Sequence, residues 1–232
     1  MNFIQARHFL LFLMFGLGSL LLKAQSGRFP TSDLDYRLYN GKVYSYYPPR
    51  DVIGNQFLNT VEFYSGIIWL GGEEHRNIKL NLDILNQQLL LSFHDSQGAL
   101  KIISISMAYV DSFYFDQKFF IIKRETDDNV IIYQQIGKGK SRFYIRWYKI
   151  LNLRTSMNII QYEFSKSLRK IYYKNADKWI EIKSNRKFRK LFPKNQATQL
   201  HKFMRSKKMK FGKMDDGAYI ELLEFIQKLY HE

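Results

Sequence analysis

From Thr60 onward the chain repeats short runs in which every second residue is apolar. Val61, Phe63, Ile67 and Trp69 form one such run. Ile78, Leu80 and Leu82 alternate with Lys79, Asn81 and Asp83, and Leu89, Leu91 and Phe93 follow. Successive side chains on an extended backbone point to opposite faces, so each run predicts a strand with one buried face. Further runs at Ile103 to Met107, Phe113 to Phe115, Phe119 to Lys123, Val130 to Tyr133, Phe143 to Ile150, Ile159 to Phe164, Leu168 to Tyr173 and Trp179 to Lys183 bring the count to about eleven. The breaks are made of turn residues: Gly71-Gly72, Asn86-Gln87, Ser96-Gln97-Gly98, Asp127-Asp128-Asn129, Gly137-Lys138-Gly139 and Asn175-Ala176-Asp177. Links this short join antiparallel neighbours, because a parallel pair needs a crossover of about a dozen residues. The predicted topology is a curved meander.

After Ser184, a good N-cap, the period changes. Phe188, Leu191 and Phe192 stand at helical spacing before Pro193. Ala197, Leu200, Phe203 and Met204 define a second apolar face. Tyr219, Leu222, Leu223, Phe225, Ile226 and Leu229 define a third, with Asp215 and Asp216 at its N-terminal end. Strands first and helices last give an α+β fold: a mainly antiparallel curved sheet of about ten or eleven strands, followed by two or three C-terminal helices that cover it.

The region ahead of the strands differs. Residues 26–57 are polar and Tyr-rich, and Tyr46-Tyr47-Pro48-Pro49 is held extended by its prolines, so this stretch reads as an arm lying on the main body. Before it, Met1 to His8 carry one basic group, Arg7, and no acid, and Phe9 to Leu22 is a run of fourteen uncharged residues followed by small residues at Ala24 and Ser26. That is the pattern of a secretory signal, and its apolar run falls short of the roughly 20 residues a spanning helix needs. The expected division is a signal peptide at 1–24 cleaved after Ala24, an extended arm at 25–57, a β body at 58–183 and a helical segment at 184–232 packing on the sheet. With no cysteine in the chain, neither a lipid anchor on that signal nor disulfide stapling is open to it. A transmembrane β-barrel is disfavoured, because the strands are short, their charges keep to no consistent face, and helices close the chain.

Hydrophobic residues make up 46% and aromatic residues 16%, which excludes disorder and suits a β-rich core. Charge adds a second division. Residues 137–213 hold 23 Lys/Arg against 3 Asp/Glu, whereas residues 25–136 hold 10 against 13. The densest part is free of acids: Arg186, Lys187, Arg189, Lys190, Lys194, Lys202, Arg205, Lys207, Lys208, Lys210 and Lys213. On the predicted helices these stand off the apolar faces and project outward, as expected of a surface that meets an anionic partner. The same charge, with the aromatic interleaving of Arg142 to Lys149, would suit nucleic acid. Export argues against that, and alternation places Phe143, Ile145 and Trp147 together on a core face. The expected partners are an envelope protein, lipopolysaccharide or anionic lipid, and no nucleic acid.

Catalytic patterns are weak. His75, His94, His201 and His231 are too dispersed for a metal motif. Glu73-Glu74-His75 is the one cluster of acids with imidazole, and it follows a Gly-Gly turn. Gly137-Lys138-Gly139-Lys140-Ser141 lacks the glycine spacing and following helix of a phosphate loop and reads as a hairpin turn. No cofactor, metal site or enzymatic activity is predicted.

Several stretches resemble a group of uncharacterised exported proteins of Bacteroidota. They are Gly41-Lys42-Val43-Tyr44 running to Tyr47-Pro48-Pro49, Lys79-Leu80-Asn81-Leu82-Asp83, Leu168-Arg169-Lys170-Ile171-Tyr172-Tyr173 and Ser184-Asn185-Arg186-Lys187-Phe188-Arg189-Lys190-Leu191-Phe192-Pro193, with the signal ending Lys23-Ala24-Gln25. The resemblance implies a periplasmic or outer-membrane-facing location and carries no activity. The expected function is a non-enzymatic envelope protein that binds or assembles through its basic C-terminal region. The alternative is a periplasmic carrier of an apolar or lipid-like ligand held between sheet and helices.

Overall fold

The computed structural model of the chain describes residues 35–124, 130–156, 159–175 and 178–230. The export signal, the first part of the arm, the turns at Asp127-Asp128-Asn129 and Ala176-Asp177, and His231 lie outside the described residues. Within them a short helix α1 (Tyr36–Tyr39) precedes a series of strands: β1 (Lys42–Val43), β2 (Tyr64–Leu70), β3 (Glu73–Asp83), β4 (Gln88–His94), β5 (Leu100–Ser104), β6 (Val110–Phe115), β7 (Lys118–Arg124), β8 (Val130–Ile136), β9 (Ser141–Tyr148), β10 (Leu151–Ser156), β11 (Ile159–Phe164), β12 (Leu168–Asn175) and β13 (Lys178–Glu181). Three helices close the chain: α2 (Asn185–Arg189), α3 (Lys194–Ser206) and α4 (Asp216–Leu229). The fold is α+β, mostly antiparallel sheet with C-terminal helices.

Eleven strands form one sheet in the order β1-β5-β4-β3-β2-β6-β7-β8-β9-β12-β13, and β10 and β11 pair as a separate hairpin. Two antiparallel meanders therefore run outward from a central β2–β6 contact. Register shows that the sheet must curl. Ser104 of β5 stands level with Asn81 of β3, and Val110 of β6 stands level with Glu73 of β3. On a flat sheet that offset, across four strand spacings, puts Ser104 and Val110 about 30 Å apart. The link between them extends to about 22 Å at most. Curling the sheet closes the gap and wraps its inner face around a core.

That inner face holds Ile68, Leu80, Leu91, Ile103, Phe113 and Phe120, with Leu38 from α1 and Leu58, just ahead of β2, sealing it. Phe113 stacks on Phe120 with ring centroids 4.8 Å apart. Farther along, the inner face of β9 and β12 supplies Phe143, Ile145, Ile171 and Tyr173, and the helices lay Phe188, Leu200, Met204, Tyr219, Leu222 and Ile226 against them. Fully burying one such side chain is worth about 1.5–3 kcal/mol, so this contact is what holds the helices to the sheet. Trp147 packs against both clusters. Beside it, Gln134 is buried at 2% exposure. Its Oε1 accepts from Trp147 Nε1 at 2.7 Å, and its Nε2 donates to Asp216 Oδ2 at 2.7 Å. One amide thus ties the sheet to the first turn of α4, whose N-cap is Asp215. Gly137, at φ +88°, lets α4 come close to the β8–β9 turn: a Cβ there would stand 2.3 Å from Leu223 Cδ1.

Candidate functional site

The acid-free segment folds into three pieces around one cleft. Ser184 caps α2, accepting from the Lys187 amide at 3.3 Å. Phe188 and Phe192 anchor this turn in the core, and Pro193 separates it from α3. Leu200 and Met204 are the buried face of α3. Beyond Lys207 the chain doubles back. Lys208 takes a left-handed φ of 53°, and the Met209 amide donates to Met204 O at 2.8 Å. Asn185 then clamps the returning segment to α2: its Nδ2 donates to Met209 O at 2.7 Å, and its Oδ1 accepts from the Phe211 amide at 3.1 Å.

Between these pieces lies a cleft of about 420 Å³ lined by Asn185, Arg189, His201, Met204, Arg205, Lys208, Met209 and Lys210. Four of the eleven predicted cations, Arg189, Arg205, Lys208 and Lys210, are brought together there. The other seven, Arg186, Lys187, Lys190, Lys194, Lys202, Lys207 and Lys213, are exposed outside its lining. Lys207 pairs with Glu221 at 2.6 Å. Among the described residues, none of the four cleft cations forms an ion pair, and no acid lines the cleft. The carbonyl end of α3 contributes about half a negative charge, a small fraction of the four formal positive charges. Arg189 is half-buried, and its Nε is shielded from solvent with no hydrogen-bond partner among the described residues. An unpartnered buried donor costs about 1–3 kcal/mol, and more when charged. Sequence reasoning missed His201. Its signal was helical spacing, since His201 and Arg205 are four residues apart on one face of α3.

Two other polar clusters are electrostatically closed. Asp35, Glu73 and His75 bring their ligand atoms within 4.8 Å of one another. Arg37 donates to both carboxylates and supplies the cation itself. Its hydrogen bonds hold the Asp35 carboxyl below the usual carboxylate range. His75 Nε2 lies 3.3 Å from Asp35 Oδ2 but is not aligned for a hydrogen bond. Glu74, on the opposite face of β3, pairs with Arg76. Glu73-Glu74-His75 therefore splits: Glu73 and His75 meet Asp35 and Arg37 and pin α1 to the start of β3, whereas Glu74 pairs with Arg76 within the strand.

The second cluster surrounds Asp83, which is fully buried. Its oxygens accept from Tyr44 Oη at 2.7 Å, from the Leu85 and Asn86 amides at 2.9 Å each, and from Asn86 Nδ2 at 2.8 Å. Burial, with the Asp83 hydrogen bond second, raises the Tyr44 phenol well above its ordinary value. Burial lowers the Lys149 ammonium, opposed by the charge of Asp83, and Lys149 Nζ donates to Asn55 O at 2.7 Å. A carboxylate this saturated is a clamp between arm and sheet rather than a general base.

Comparison with known protein families, with curated proteins and with solved structures gave no match. Among the described residues no helix is long and apolar enough to cross a membrane.

Proposed function

We propose that the protein is a non-enzymatic binding protein of the cell envelope that docks on an anionic surface through α2, α3 and the segment at 207–213. The observation that carries this reading is the state of the predicted cations: ten of the eleven are exposed, and among the described residues only Lys207 is neutralised by an acid. Such a surface attracts lipid phosphates at about 1 kcal/mol per cation near the membrane, within a Debye length. The export expected from residues 1–24 sets the compartment of this reading as the periplasm or the periplasmic face of the outer membrane. Phe143, Tyr173, Phe188 and Tyr219 fill the interior of the seam between sheet and helices, and the space left open is a groove of about 570 Å³ at its edge, lined by Phe119, Gly137, Ile220 and Leu223, which supports docking over enclosed carriage.

Cosedimentation with vesicles tests the reading. Vesicles containing phosphatidylglycerol should retain the full chain at low ionic strength and release it at high ionic strength, and neutral phosphatidylcholine vesicles should retain little at either. If phosphatidylglycerol vesicles retain no more than neutral ones, the membrane reading fails. Salt-sensitive capture of a defined acidic envelope protein would then move the partner from lipid to protein.

A further inference from the structure

We propose that the cleft between α2, the C-terminal half of α3 and the returning segment at 208–210 is a binding site for a phosphomonoester group. This deepens the docking reading by naming what its basic region recognises. The argument starts from electrostatic balance. A solvated basic face spreads its charges apart, but here Arg189, Arg205, Lys208 and Lys210 line one concavity with no acid among its lining residues. Each of these like charges raises the free energy of the others unless an anion joins them. The fold nevertheless holds the returning segment in place, through the two Asn185 hydrogen bonds and the left-handed turn at Lys208.

The number and kind of donors select the anion. Two arginines offer planar forks that match phosphate oxygens in pairs, and two lysines add point charges. His201 adds an imidazole at the rim. A carboxylate offers one charge and two oxygens, and a phosphodiester offers one charge and two non-bridging oxygens. A terminal phosphate brings about −1.5 to −2 charges and three acceptor oxygens, which matches the donor set best. A volume of about 420 Å³ leaves room for the phosphate together with the glycerol or sugar that carries it. The carrier is either a lipid headgroup or a soluble phosphorylated sugar or polyol; the terminal phosphate is common to both.

The test measures binding of the full chain to glycerol 3-phosphate by titration calorimetry, and to vesicles of equal surface charge containing either phosphatidic acid or phosphatidylglycerol. The proposal expects saturable binding of glycerol 3-phosphate, weakened about tenfold in Arg189→Lys/Arg205→Lys, which keeps the charge and removes the forks. Lys187→Ala/Lys190→Ala removes two cations outside the cleft. It should lower retention on both kinds of vesicle and leave glycerol 3-phosphate affinity unchanged. Preference for phosphatidic acid, competed by glycerol 3-phosphate, supports the site and makes a lipid its ligand. Saturable glycerol 3-phosphate binding without that preference supports the site and makes its ligand soluble. If glycerol 3-phosphate does not bind, or if the arginine-to-lysine variant binds as well as the wild type, the phosphomonoester site is overturned. Docking survives that outcome if phosphatidylglycerol vesicles still retain the chain, and falls separately if they do not.

Discussion

Gln134 occupies a position where the strand pattern calls for an apolar side chain. Its neighbours across the sheet are Phe120 and Ile145, both fully buried. The amide survives there because both of its ends are used, one by Trp147 and one by Asp216. Replacing it by leucine keeps the volume and strands the Trp147 N–H, a loss of about 1–3 kcal/mol. Gln134→Leu should therefore lower the urea midpoint at an unchanged slope. An unchanged midpoint would mean that water replaces the amide and that the bond to α4 contributes nothing. Tyr219 is the opposite case. Its Oη lies near the Gly212 backbone without meeting hydrogen-bond geometry, and the residue is fully buried. Removing an unsatisfied hydroxyl avoids its desolvation cost, so Tyr219→Phe should hold or raise the midpoint.

The long strands and the helices were legible because their apolar residues recur at the strand or helix period, even where the intervening polar residues, such as Asn81 and Asp83, are buried too. Leu80 and Leu82, or Phe143 and Ile145, announce one face, and Phe188, Leu200 and Tyr219 announce the helices laid on it. The elements that escaped have no such signature. β1 is two residues long and joins by backbone pairing of Lys42 with Ser104 and Val43 with Ile103, both of its side chains being exposed. β10 pairs outside the main sheet with β11, which the run at Ile159 to Phe164 had marked, but β10 itself reads Leu-Asn-Leu-Arg-Thr-Ser, and Leu153 remains 56% exposed, so it carries too few apolar positions to read. The run at Ile103 to Met107 alternates apolar residues with Ser104 and Ser106, yet β5 begins three residues earlier at the exposed Leu100 and ends at Ser104. The charge of the site was equally plain, and the cleft was not. Its far wall depends on Asn185 reaching residues 209 and 211, a contact across more than twenty positions that no local pattern encodes. Asn185→Ala should free that wall while leaving the charge intact. Hydrogen exchange at the Phe211 amide should accelerate while far-UV circular dichroism stays the same; an equally protected amide would show that the segment holds without the clamp.

Aromatic residues make up 16% of the chain, and several phenols are wholly or half buried, so the protein as a whole should be sensitive to alkali. Burial pushes the Tyr219 phenol up to about 12 and raises those of Tyr44 and Tyr173 still further. The ordinary value in an unfolded chain is about 10. Between those limits the folded state keeps protons that the unfolded state has lost, so unfolding releases protons and becomes more favourable as pH rises. The contribution of these groups is fully present below about pH 10 and is withdrawn as pH climbs toward 12 and beyond. They lie in different parts of the molecule. Tyr44 joins the arm to Asp83, whereas Tyr173 and Tyr219 join the sheet to the helices. Ionising any of them loosens a different contact, and a cooperative domain should give way in one transition. Tyrosinate absorbance should therefore show a late fraction that rises together with the loss of circular dichroism. In Tyr219→Phe the transition should move to higher pH. A late fraction that ionises reversibly with the dichroism intact would show that these phenols reach water without unfolding, and that burial at both contacts is looser than the packing of Phe143, Tyr173 and Tyr219 implies.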